Sequence, residues 1–358
     1  MLLQTITSTI QAQSLAFGAS GFDSAGGPVA SGGFFTVSSG GSITNLTVDF
    51  DDAGTVDQGL TGPILGFASN NGFISAPDTI AGRSTALVNL QIGANTSSSH
   101  FARYQVDANE YFYISTDAVA TSVLLAGRMI ATGSLGSFSN SSLGGNYVIH
   151  LTGNGGGVAN VNIGLVTLSS GSLNGTLFNY QAGGGASTSQ TVSGNYAVNK
   201  NTGRTVLSGA NLGNHPPILY VPAPSSTTEP VSAFLVGTDG SATFGLAEAS
   251  SGTFTTAGLA GNYFFGTENP GDNSVSNNVG VVTIASSGAV TGTQYKSGNG
   301  GLSTGSVSGS SFAITNSNGI GNLGANTVAI TNGESIFFFD EGSPAGSSSA
   351  KINVVERQ

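Results

Sequence analysis

Cysteine is absent from this 358-residue chain, and disulfides, thiolate nucleophiles and cysteine-held metals go with it. Tryptophan is absent as well, which removes the largest aromatic stacking platform. Charge is scarce. Only 7% of residues are Asp, Glu, Lys or Arg, against about a quarter in an ordinary globular chain. The net charge is −10, and the eight basic residues stand singly from Arg83 to Arg357, so there is no positive stripe for nucleic acid or anionic lipid. Long apolar runs are missing too. SVLLAG at 122–127 meets Arg128, far short of the roughly 20 apolar residues of a membrane helix. The opening MLLQTITSTIQAQSLAF has neither the basic start nor the unbroken apolar stretch of a signal peptide. Residues 1–12 therefore read as an N-terminal strand or linker, with an export signal removed or the chain starting inside a longer one.

What is present argues for a folded chain. Glycine (56) and proline (10) together stay below the roughly 25–30% that marks low-complexity sequence. Twenty Phe and nine Tyr supply core material that disordered chains lack.

One phrase occurs three times: GFFTVSSGGSITNLTVDF from Gly33, GLVTLSSGSLNGTLFNY from Gly164 and GVVTIASSGAVTGTQY from Gly280. Other anchors share the period. LGGNYVIH and LAGNYFFG set Tyr147 against Tyr263, and strands ending at Asp117, Asp239 and Asp340 correspond in the three copies. These anchors place copies at 13–136, 140–255 and 257–358, the last shortened. A unit of roughly 115 residues can own a core, whereas solenoid rungs run to about 20–45 residues.

Within the second copy, apolar and β-branched runs bounded by Gly and Asn give eight strands, from NYVIHLT to ATFGLAE, with no helical period. Asn-Gly pairs such as Asn174-Gly175, Asn318-Gly319 and Asn332-Gly333 predict tight type I′ hairpins. The expected fold is all-β: three tandem antiparallel domains of about eight strands, each a meander closed into a barrel, with a Greek-key sandwich as the alternative. Gly32-Gly33, Gly164 and Gly280 are expected at bulges or tight entries where a Cβ would crowd the neighbouring strand.

Chemistry-bearing residues are few. The densest acidic cluster, VDFDDAGTVDQG, carries Asp49, Asp51, Asp52 and Asp57, with Gly54 to permit a turn; it is the candidate calcium site. It departs from the EF-hand spacing, because Ala53 stands where an oxygen ligand belongs, and a solvated hairpin end is the alternative. His100, His150 and His215 lie in unrelated surroundings and read as structural or surface residues. Glu268 with Asp272, and Asp340 with Glu341, are weaker acidic pairs. GIGNLG at 319–324 matches the dinucleotide fingerprint, but NTVAIT follows it, so no helix receives a pyrophosphate and a hairpin is expected. No enzyme activity is expected.

Charge poverty bears on partners. Strand edges are ordinarily guarded by Lys and other charges; here they must be closed in barrels or occupied by neighbours. The chain resembles the Gly/Ser/Thr-rich tandem-repeat secreted proteins of environmental bacteria, through its GNY starts, the VSGNYAV…TGR stretch and strands ending in TD. That resemblance implies export and β-structure and transfers no site residue. The expected function is an extracellular, cell-surface structural or adhesive protein, a fibre or surface-layer subunit assembling by strand pairing with itself or other surface proteins. A barrel holding a glycan or small apolar ligand is the alternative, with no cofactor beyond the candidate calcium.

Overall fold

A computed structural model describes residues 10–53, 55–61, 72–77, 80, 82–92, 95–118, 122–132, 136–155, 158–183, 187–213, 215–222, 231–268, 277–298, 301–324, 327–340 and 350–358. Most of the expected N-terminal strand or linker, residues 1–9, lies outside them.

The chain is antiparallel β throughout. The first nine strands are β1 (Gln13–Phe22), β2 (Pro28–Val37), β3 (Ile43–Asp52), β4 (Thr55–Thr61), β5 (Gly72–Ile74), β6 (Arg83–Ile92), β7 (Asn95–Gln105), β8 (Glu110–Ser115) and β9 (Leu124–Thr132). They form one sheet in the order β4-β3-β2-β1-β9-β8-β7-β6-β5. A bridge from Ser42 to Phe73, and the Ile74 N–H donating to Gly41 O at 2.7 Å, bring β5 to the start of β3 and nearly close the barrel.

The second barrel runs through β10 (Gly145–Gly155), β11 (Val158–Ser169), β12 (Ser172–Gln181), β13 (Thr188–Val198), β14 (Arg204–Ser208), β15 (Ile218–Tyr220), β16 (Val231–Val236) and β17 (Phe244–Ser250). The third runs through β18 (Gly261–Glu268), β19 (Asn277–Ile284), β20 (Ala289–Gly298), β21 (Gly301–Asn316), β22 (Ile320–Leu323), β23 (Thr327–Thr331), β24 (Ser335–Asp340) and β25 (Lys351–Arg357). Both are closed, with strands in sequence order. The meander is therefore observed, not the Greek key.

The chain groups into two compact units that do not follow barrel boundaries. Unit one comprises residues 1–143, 195–208 and 212–244; unit two comprises 144–194, 209–211 and 245–358.

The repeated phrase is the hairpin β2–β3, β11–β12 or β19–β20. Its Ser/Gly turn carries the left-handed residues: Ser170 at φ 50° and Gly171 at φ 92° join Ser169 to its partner Ser172. That is the backbone a two-residue primed turn demands. The leading glycines are sterically required, because a Cβ on Gly33, Gly164 or Gly280 would lie 2.2–2.4 Å from a neighbouring atom. They are not bulges. In the first copy the register shifts between Phe34 and Thr36 instead.

The Asn-Gly expectation needs correction. Asn174-Gly175 lies inside β12, where Gly175 faces the Leu165 backbone, and only the Gly of Asn318-Gly319 and Asn332-Gly333 has positive φ. GIGNLG forms β22 and its flanking turns, as a hairpin reading requires.

The joining segments are anchored by buried side chains. Phe138 and Leu143 lead into the second barrel and Leu259 into the third. Asn140 accepts from the Tyr196 hydroxyl through its main-chain oxygen and from the Val198 N–H through its side chain.

Alternation explains the interiors. In β1, Leu15, Phe17 and Ala19 point inward to join Phe35, Ile43, Phe101, Tyr111, Tyr113 and Met129. The third interior gathers Tyr263, Val282, Ile284, Val290, Phe312 and Ile336. Yet β2 is buried on both faces from Val29 to Phe35. Something covers its outer side as well.

Candidate functional site

The candidate surfaces are the outer faces of the barrels. Within unit one, the wall formed by β1, β2 and β3 is covered by β14, β15, β16 and the start of β17. Small residues let the backbones approach: a Cβ on Gly18 would lie 2.4 Å from the Phe244 ring, and one on Gly32 would lie 2.5 Å from a Val236 methyl. Ala30, Val236, Ala242 and Phe244 fill the apolar part.

Asp49 sits in the middle of this wall, fully buried. Its carboxylate accepts from Arg204 Nε at 2.7 Å and Nη2 at 2.9 Å, a fork-to-fork pair, and from the Tyr220 hydroxyl at 2.6 Å. Burial acts to lower the Arg204 pKa, but its bond and charge contact with Asp49 outweigh that and raise it. Burial first, then Asp49, pushes the Tyr220 hydroxyl up. Arg204 is therefore a cation and Tyr220 a neutral phenol across neutral pH.

Within unit two, the wall of β10, β11 and β12 is covered by β23, β24 and β25. Here the packing residues are large: Val148, Val161, Ile163, Leu165 and Tyr180 meet Ile330, Phe337, Phe339, Ala350 and Ile352. The charged group is His150, buried and stacked on Phe337 at 4.5 Å. Its Nδ1 bonds Glu268 Oε2 at 2.9 Å, while Nε2 lies 3.4 Å from Glu248 Oε1 without the alignment of a hydrogen bond, so Glu248 acts by charge. Glu248 is itself held by the Asn332 side-chain N–H at 2.7 Å. Burial pulls the imidazole pKa down, but the two carboxylates, Glu268 foremost, override it and push it up to about 10. His150 is an imidazolium at neutral pH.

One rule describes both junctions: the first three strands of one barrel are covered by the late strands of the next. At the ends the same positions are bare. Tyr147 pairs with Val166 and Tyr263 with Val282, so Val148, Ile163 and Leu165 of the second barrel correspond to Phe264, Val279 and Val281 of the third. In the second barrel these are buried or nearly so; in the third they are 56%, 56% and 41% exposed, with Tyr295 beside them at 52%. Conversely, Val236 and Phe337 each stand three residues before a strand-ending Asp and are covered. Ile114, three before Asp117, is 50% exposed beside Phe112 at 49%.

The acidic cluster is dispersed. Asp49 is engaged as above, Asp51 shares its buried face, and Asp52 projects from the opposite face of β3, where burial and then Asp23 raise its pKa. Asp57 on β4 stands opposite Phe50 in the register, and its side chain lies outside the described residues. Among the described residues, no group of three or more His, Cys, Asp or Glu is placed to hold a metal ion.

His100 is exposed and bonded to Asp117 at 2.8 Å, and His215 is at the surface. Glu268 turns to His150; Asp272 and Glu341 lie outside the described residues, as does the Asp340 side chain. Arg204, Tyr220 and Glu248 were not legible as site residues, because their partners are far away along the chain. No helix among the described residues is long and apolar enough to cross a membrane. No family model, curated protein or solved structure matches the chain.

Proposed function

We propose that this chain is a structural subunit of an extracellular assembly, and that copies join barrel wall to barrel wall. The first-hairpin wall of the third barrel, Phe264, Val279, Val281 and Tyr295, receives the late-strand wall of the first barrel of the next copy, Phe112 and Ile114. One observation carries this reading: residues at equivalent positions are covered at both internal junctions and bare at both ends. Contiguous exposed apolar walls of this kind mark interaction surfaces. Because the two walls differ, the contact is heterologous, and repeating it builds an open chain of copies or a ring. Charge poverty and the absence of cysteine suit an extracellular structural role.

The test is analytical ultracentrifugation with electron microscopy on the full chain and on Val281→Asp and Ile114→Asp. Oligomers that grow with concentration, and are abolished by either substitution, are expected. A monomer at all concentrations would overturn the reading.

A further inference from the structure

The third barrel is not filled. A cavity of about 210 Å³ remains inside it, against about 40 Å³ in the first barrel. Phe17, Phe35, Phe101, Tyr113 and Met129 occupy that first interior, whereas Val282, Val290, Val307 and Val355 line the third. Its walls are mostly apolar; Gln294 and Ser310 are the polar exceptions elsewhere in the lining, and at one end Asn278 and Lys296 are cross-strand partners with Asn353 on β25. Asn353 accepts from the Thr267 hydroxyl at 3.2 Å. Asn278 is 7% exposed, and its side-chain oxygen finds no hydrogen-bond partner among the described residues.

A buried amide oxygen without a donor has lost its hydration with nothing to replace it. A guest that brings the donor makes good that loss. Lys296, at the mouth, is the one ionisable group among the lining residues; it donates and cannot accept. A single hydroxyl satisfies both neighbours, giving its proton to Asn278 Oδ1 and accepting from the Lys296 ammonium. The size sets the rest, since an apolar cavity of about 150 Å³ takes benzene; this one admits a ring with a short alkyl chain.

We infer that the third barrel is a binding site for a compact apolar alcohol or phenol, oriented with its hydroxyl between Asn278 and Lys296. The first two barrels have no part in it. The experiment is calorimetric titration of the full chain with 4-ethylphenol and with ethylbenzene, which differ only in the hydroxyl. In the parent chain the phenol should bind about five- to ten-fold tighter, the worth of one well-placed hydrogen bond. In Asn278→Leu that preference should shrink to near unity while ethylbenzene still binds, which also shows that the barrel has folded. In Val307→Phe, verified as folded by its thermal melt, binding of both should be lost. The inference is overturned if neither probe binds the parent chain at millimolar concentration, if Asn278→Leu keeps the preference, or if the folded Val307→Phe protein binds as before.

Discussion

The two internal junctions have the same architecture and opposite chemistry. At the first, glycine and alanine bring two walls close enough for Asp49 to be gripped by Arg204 and Tyr220. At the second, large aliphatic and aromatic side chains hold the walls together, and the buried cation is a histidine between two glutamates. The position of Gly32 in one wall is that of Ile163 in the other. What specifies the joint is therefore an outward apolar set on two facing walls, while the charged group differs from joint to joint. Buried ion pairs add little net stability but are costly to break, so each selects one partner wall over others. The bare wall of the first barrel has a charge pair of its own, the buried Glu110 with Arg128 beside Phe112, and the proposed joint between copies adds apolar contact around it.

Breaking the first junction has the largest expected effect. Asp49→Ala leaves the half-buried Arg204 and the buried Tyr220 hydroxyl without their acceptor and should cost about 3 kcal/mol in denaturant unfolding of unit one. The paired change Asp49→Leu with Arg204→Met should recover most of that loss. The second junction is sharpened by pH. A folded pKa near 10 against an unfolded one near 6.5 means that protonated His150 contributes its full stability below about pH 6.5. The contribution is then lost as the pH rises through the folded value. The slope should approach about 1.4 kcal/mol per pH unit between them. His150→Phe should flatten that slope in urea titrations from pH 6 to 10, whereas the Asp49 junction should show none of it.

Gly32→Ala should cost about 1–3 kcal/mol through collision with Val236, read as a lower melting temperature. The smallest effect falls on the bare wall. Val281→Asp should change the stability of the isolated subunit by less than about 0.5 kcal/mol while removing its association. That association should also persist at high salt, since screening weakens charge contacts and leaves apolar ones.

Much of the fold was legible, and one repeated phrase shows why. Period-two alternation and three Ser/Gly turns gave the strands, the hairpins and the three barrels. The doubled apolar positions in that phrase, Phe34-Phe35, Leu165-Val166 and Val281-Val282, also signal that both faces of the strand are to be covered. The first and second pairs are covered on both sides, and the outward member of the third is bare. The Asn-Gly turns failed because Gly175 serves the crowding of β11 against β12 rather than a turn. Asp49 was legible as an acid but not as Arg204's partner. Nothing local distinguishes a carboxylate aimed at solvent from one aimed at a wall formed more than a hundred residues later.

The most direct measurement mixes two subunits, each disabled on one wall. Ile114→Asp and Val281→Asp chains, each monomeric alone, keep one complementary wall apiece, and sedimentation of an equimolar mixture should show a discrete heterodimer that grows no further. Two monomers that ignore each other would contradict wall-to-wall assembly.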